Sequence, residues 1–269
     1  MIQLYFKYLT FILILVHFHI TVYSQNFAES GINLGVKFGG SKLLGEIPYD
    51  FSDLINEFGN KTGFASAFEI SKNISNHWEI GSEYGYTSLK GSTSSPEFSA
   101  EGFHQGIPSE ITEPVEYVNI LIGQNFFFRY FFKPAGSESA FIPFIRAGAG
   151  YLNYNSKFKY IDAPDNDLLF GKGTEGYTKL STPVYFIGIG FKTSIASQFY
   201  LVSAIDFNMV NYDFLDVMHN FDLTGSRLEL IGLYTELKIG IYYNFSKSGG
   251  GRKNKKSRSS NSGFLPFSR

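Results

Sequence analysis

Residues 229–245 read Glu-Leu-Ile-Gly-Leu-Tyr-Thr-Glu-Leu-Lys-Ile-Gly-Ile-Tyr-Tyr-Asn-Phe. One parity carries Ile231, Leu233, Leu237, Ile239, Ile241 and Phe245; the other carries Gly232, Glu236, Lys238, Gly240 and Asn244. Side chains alternate between the two faces of a strand, so this segment has one greasy face and one polar, glycine-rich face. It is far longer than the usual globular strand of about 5–6 residues. A tilted transmembrane β-strand needs about 9–11.

The same alternation recurs seven times upstream. Gly31–Gly39 turns Ile32, Leu34, Val36 and Phe38 one way and Asn33, Gly35 and Lys37 the other. Gly63–Lys72 sets Phe64, Phe68 and Ile70 against Glu69. His77–Lys90 sets Trp78, Ile80, Tyr84 and Tyr86 against Glu79, Gly81, Glu83 and Gly85. Pro114–Lys133 opposes Val118, Ile120, Ile122, Phe126, Phe128 and Tyr130 to Asn119, Gly123, Asn125 and Arg129. Ala140–Tyr154 opposes Ile145, Ala147, Ala149 and Tyr151 to Arg146, Gly148 and Gly150. Lys179–Ile195 opposes Tyr185, Ile187, Ile189 and Phe191 to Gly188, Gly190 and Lys192. Phe199–Tyr212 opposes Leu201, Ile205 and Phe207 to Asp206.

The connections between these segments run long, short, long, short, long, short, long. The long ones are Gly40–Thr62, Gly91–Glu113, Asn155–Thr178 and Asp213–Ser226. An even number of antiparallel strands with short periplasmic turns and long extracellular loops is the plan of an outer-membrane barrel. The pattern predicts an all-β fold, an eight-stranded antiparallel transmembrane β-barrel over residues 25–245 with both termini periplasmic. A soluble barrel would need a polar outer face, which these eight apolar faces argue against.

Composition sharpens this picture. Met1–Ser24 has Lys7, an apolar run from Leu9 to Val16, and Val22 and Ser24 placed for cleavage before Gln25, which predicts a signal peptide. The chain has no Cys, so it has no disulfides and no thiolate metal site. Residues 246–269 carry seven Lys and Arg and no acid, and residues 25–245 carry 15 basic against 24 acidic residues. The expectation is a disordered basic periplasmic tail on an acidic body. That tail is a candidate for docking other envelope proteins or the cell wall. Its composition resembles nucleic-acid patches, but a periplasmic address removes nucleic acid as a partner.

Several motifs give the chain a family look. The Tyr-Ser-Gln junction at 23–25, Arg146-Ala-Gly-Ala-Gly150, Ile187-Gly-Ile-Gly190 and the closing Lys238-Ile-Gly-Ile-Tyr-Tyr-Asn-Phe245 resemble the PorT-like outer-membrane β-barrels. That family is related in architecture to the OmpA membrane domain. Where it often has Tyr-Leu-Glu-Ile-Pro, this chain has Tyr117-Val-Asn-Ile-Leu121, without the Glu and the Pro. The resemblance implies a barrel in the bacterial outer membrane, with outer-membrane lipid and the assembly machinery as partners. Some relatives are linked to protein secretion.

Ten charged residues fall on the inward parity. They are Glu69, Glu79, Glu83, Asp206 and Glu236 against Lys37, Arg129, Arg146, Lys192 and Lys238. An eight-stranded barrel is only wide enough for side chains to fill it, and buried charges there must be paired. The expectation is a filled, salt-bridged lumen in a non-enzymatic protein without cofactor, serving a structural, assembly, adhesion or secretion-accessory role. A narrow or gated pore is the competing reading of these charges. A lipid-modifying barrel enzyme using His104 or His219, with Ser109 and Asp216 as neighbours, is the alternative function. His77 reads as a turn residue. In the acidic outer loops Asp162, Asp165 and Asp167 are weak metal candidates; carboxylates suit Ca²⁺, but the spacing fits no EF-hand.

Overall fold

The computed structural model describes residues 31–48, 59–93, 114–135, 141–161, 168–170, 181–196, 198–210 and 230–245. These residues form strands β1 (Ile32–Pro48), β2 (Gly59–Lys61), β3 (Gly63–Asn73), β4 (Trp78–Thr93), β5 (Val115–Phe131), β6 (Ile142–Tyr160), β7 (Leu168–Phe170), β8 (Ser181–Ser194), β9 (Phe199–Val210) and β10 (Leu230–Phe245). The described residues contain no helix.

Every pairing is antiparallel, and the sheet closes on itself. The order β4-β3-β1-β10-β9-β8-β6-β5 returns to β4 through the β4–β5 ladder, while β2 extends the β3 side of β4 and β7 pairs with β6. This is an eight-stranded antiparallel barrel. Directly opposed residues lead once around the ring from Lys42 through Thr235, Phe207, Ile187, Ala147, Phe128, Ile80 and Lys72 to Ile32, well down the strand they started from. That stagger is what strand tilt in a closed barrel requires, and closure leaves no edge of the ring unpaired.

At one end, here the turn end, the chain reverses through short segments. Between β3 and β4 the Ile74 amide donates to the Trp78 carbonyl at 2.9 Å, and the Ser75 hydroxyl accepts from the Trp78 amide at 3.0 Å. The opposite end is the loop end. Three of the connections read from sequence as long loops are partly strand there, and in the Gly91–Glu113 connection β4 runs on to Thr93. β1 runs on to Pro48, and β6 to Tyr160. Lys42, Lys61, Lys157 and Lys159 therefore lie on strands rather than in loops. The β1 extension is possible because the ladder slips between Leu43 and Gly45, where Gly45 takes φ 138°, a conformation that suits glycine.

Inside-outside parity follows the alternation. Outward side chains keep large apolar surfaces open all round the ring, among them Phe38 at 58%, Phe128 at 61%, Ile187 at 58% and Ile241 at 54%. Tyr84, Tyr151 and Tyr185 stand toward the loop end, and Trp78, Phe132, Phe199 and Phe245 toward the turn end. An apolar band between two aromatic girdles matches the outer wall of a transmembrane barrel. The interior falls into three layers. Phe131, Ala135, Ile142, Phe144, Val202, Ala204 and Tyr242 pack together toward the turn end. Charged residues fill the middle. Leu43, Leu89, Tyr117, Leu121, Leu152, Phe158, Val184, Val210, Leu230 and Tyr234 are buried toward the loop end.

Candidate functional site

The middle layer is the one concentration of chemistry-bearing side chains among the described residues. All ten inward charges are buried, none more than 5% exposed. Glu69 (β3) meets Lys37 (β1) at 2.8 Å, Arg129 (β5) at 2.9 Å and Arg146 (β6) at 3.5 Å. Glu83 (β4) meets Arg146 at 3.0 Å and Lys238 (β10) at 2.5 Å, and it also pairs with Lys37. Arg146 grips Asp206 (β9) with two nitrogens, its Nε donating at 2.6 Å. Arg129 pairs with Glu79, and Lys238 with Glu236 at 2.6 Å.

Direct neighbours on the ladders would repel one another. Glu69 lies opposite Glu83, Arg129 opposite Arg146, and Asp206 opposite Glu236. Like charges so placed destabilise a sheet. Here Glu236 is compensated by Lys238 on its own strand and the others from other strands, so the ion pairs tie β1, β3, β4, β5, β6, β9 and β10 together through the lumen. Within the lumen, Arg129–Glu79 is the pair made between directly opposed residues.

Glycine explains how such long side chains fit. Gly240 faces Lys37, and Gly188 lies between Arg146 and Asp206. A Cβ at Gly240 would run into the Lys37 side chain, and one at Gly188 into Asp206. Aromatic rings then wall the guanidinium groups. Arg129 stands over Phe127 at 4.9 Å and Phe144 at 4.7 Å, and Arg146 over Phe127 at 5.5 Å and Phe186 at 5.2 Å. Cation–π contacts of this kind strengthen when desolvated.

Lys192 stands apart from the other nine. Among the described residues it forms no ion pair. Its ammonium lies over Tyr200 at 4.1 Å and Phe131 at 5.4 Å, toward the turn end. The connected network therefore joins four cations to five carboxylates. Three neutral side chains enter it as well. Asn33 donates to Glu79 at 3.1 Å, Asn244 donates to Asn33 at 2.6 Å, and the Thr87 hydroxyl donates to Glu236. Inward parity was the signal for all three, and Asn33 lies directly opposite Asn244.

Every carboxylate in the network is engaged by at least one cation and shielded from solvent, so none stands open to a substrate. His77 lies at the β3–β4 turn, its Nδ1 2.7 Å from the Phe131 carbonyl and its ring 5.8 Å from that of Tyr130. His104, His219, Ser109 and Asp216 lie outside the described residues, as do Asp162, Asp165 and Asp167, the signal segment and the basic tail.

No family model matches the chain, and no curated protein matches it in sequence. Solved structures overlay it loosely. Neisserial surface protein A overlays at 13% identity with a TM-score of 0.41, covering 81% of this chain and 99% of that one. The outer membrane protein OprG from Pseudomonas aeruginosa gives 10% and 0.41, covering 82% and 99%. Ail, the attachment invasion locus protein of Yersinia pestis, gives 11% and 0.39, covering 81% and 99%. Overlays this loose carry no argument; the fold rests on the chain's own closed ladder.

Proposed function

We propose that this chain is an integral outer-membrane barrel that acts as a scaffold and not as a conduit or an enzyme. Its role on this reading is structural: assembly, adhesion or accessory to secretion, with the turn end and both termini in the periplasm. Its partners are the surrounding lipid, the outer-membrane assembly machinery and, through residues 246–269, other envelope components. A PorT-like family relationship belongs to the same reading.

The observation that carries it is the inversion of the wall. Phe128 is 61% exposed on the outside, while Arg129, the next residue, is 1% exposed in the lumen. A water-soluble protein gains by burying apolar area, at about 25 cal/mol per Å². This wall instead presents that area outward and spends its interior on charge, which suits hydrocarbon surroundings. Ion pairs and packed aromatics fill the section through which a pore would run.

Fractionation with heat-dependent gel migration tests this reading. The expected result is outer-membrane recovery and a folded band that shifts on boiling. Recovery as a soluble species without such a shift would overturn it.

A further inference from the structure

On the outer wall at the loop end, up to six residues beyond the tyrosines, β2, β4 and β6 carry a row of cations, with Val118 of β5 set within it. Lys61 lies directly opposite Lys90, Lys90 opposite Val118, and Val118 opposite Lys157. All three lysines are exposed.

The row depends on a register slip. The β3–β4 ladder pairs Ala65 with Thr87, whereas the β2–β4 ladder pairs Lys61 with Lys90, one residue out of step. Strict alternation from Phe64 would aim Lys61 into the lumen. The slip instead turns it outward beside Lys90 and turns Asn60 inward, where it accepts from the Tyr117 hydroxyl at 2.6 Å.

Two like charges directly opposite one another on a ladder are unfavourable. Nothing described relieves them. Glu116, the outward acid on the neighbouring ladder, is engaged by Lys159 at 3.5 Å. Among the described residues, Lys61, Lys90 and Lys157 form no ion pair. A bulge that creates such a contact suits an anion held between the two ammonium groups. The lysines project sideways from the barrel wall, so what they meet is the surrounding leaflet and not a solute arriving above the loops. Adjacent strands lie about 4.8 Å apart, which lets Lys61 and Lys90 share one phosphate while Lys157 reaches a second about two spacings away.

We propose that Lys61, Lys90 and Lys157 form a binding site for phosphate-bearing lipid headgroups of the leaflet at the loop end. The site rests on the membrane reading above, and Lys42, outward on β1, borders it.

The test uses the purified full chain in phosphatidylcholine vesicles doped with phosphatidic acid or a bisphosphorylated diglucosamine lipid. Lipid retained through detergent exchange is counted by native mass spectrometry. The wild type should retain the phosphate lipids, the bisphosphorylated one best, and lose them as salt rises. K61Q/K90Q/K157Q should retain roughly tenfold less, since each lysine beside an anionic surface contributes a screened increment. K72Q/K133Q, which removes charge from the turn end, should stay within about twofold of wild type. Equal retention by wild type and the triple variant, with both still heat-modifiable, would overturn the site while leaving the membrane reading intact. Full displacement of lipid by millimolar inorganic phosphate would show a general anion site and overturn the assignment to lipid. Failure of the wild type to insert would overturn both.

Discussion

The two halves of this barrel are built on opposite rules. Below the tyrosines the wall is apolar outside, with Phe38, Phe128 and Ile241 open, and the lumen behind it holds the charged layer of Lys37, Glu69, Arg129 and Arg146 above the apolar cluster at the turn end. Toward the loop end β6 reverses. Asn153, Asn155, Lys157 and Lys159 face outward while Leu152, Tyr154 and Phe158 are buried inside. One continuous strand thus passes from a membrane-protein pattern to a soluble-protein pattern without breaking its ladder. The change falls just above Tyr151, and on the membrane reading proposed above this is where hydrocarbon gives way to headgroups and water.

If that contrast is right, the same kind of substitution should cost different amounts in the two halves. Urea unfolding from vesicles, followed by the fluorescence of Trp78, the only tryptophan, provides the common measurement. Arg146→Ala should show the largest loss, about 3–5 kcal/mol, because Asp206 loses its two-nitrogen partner and Glu69 and Glu83 each lose a cation. A loss below about 1 kcal/mol would mean the lumen lets water in.

Phe158→Ala removes a fully buried ring from the loop-end interior and should cost a comparable ~3–5 kcal/mol. That outcome would show that the upper half is a packed core and not a vestibule. Ile239→Arg, on the outward face of the lower half, should cost about 2–4 kcal/mol. Asn155→Arg, outward on the upper half, should change stability by no more than about 0.5 kcal/mol. Equal costs at Ile239 and Asn155 would erase the boundary between the halves.

Most of the ring was legible in the sequence because alternation with period two leaves only one consistent inside-outside assignment. All ten lumen charges sit on the predicted face for that reason. Their partners were not legible. Glu69 contacts Arg129 and Arg146 from two other strands, and only the closed ring brings these together. Lys192 looked like a fifth partner for the acids, but its strand places it over Tyr200 instead. Lys61 was read as part of the Gly40–Thr62 loop, and neither its strand nor its face was legible. A one-residue slip near Thr62 flips the face of everything beyond it, and alternation carries no mark of such a slip. The loop-end strands were underestimated because Asn155, Ser156 and Lys157 read as loop residues when judged by polarity alone.

The central claim is that ion pairs and aromatics close the lumen, and single-channel recording in planar bilayers tests it most directly. Reconstituted wild-type protein should add no steady conductance above background, and Arg146→Ala or Lys238→Ala should open at most brief, small events. Steady, large conductance through the wild type would contradict the account.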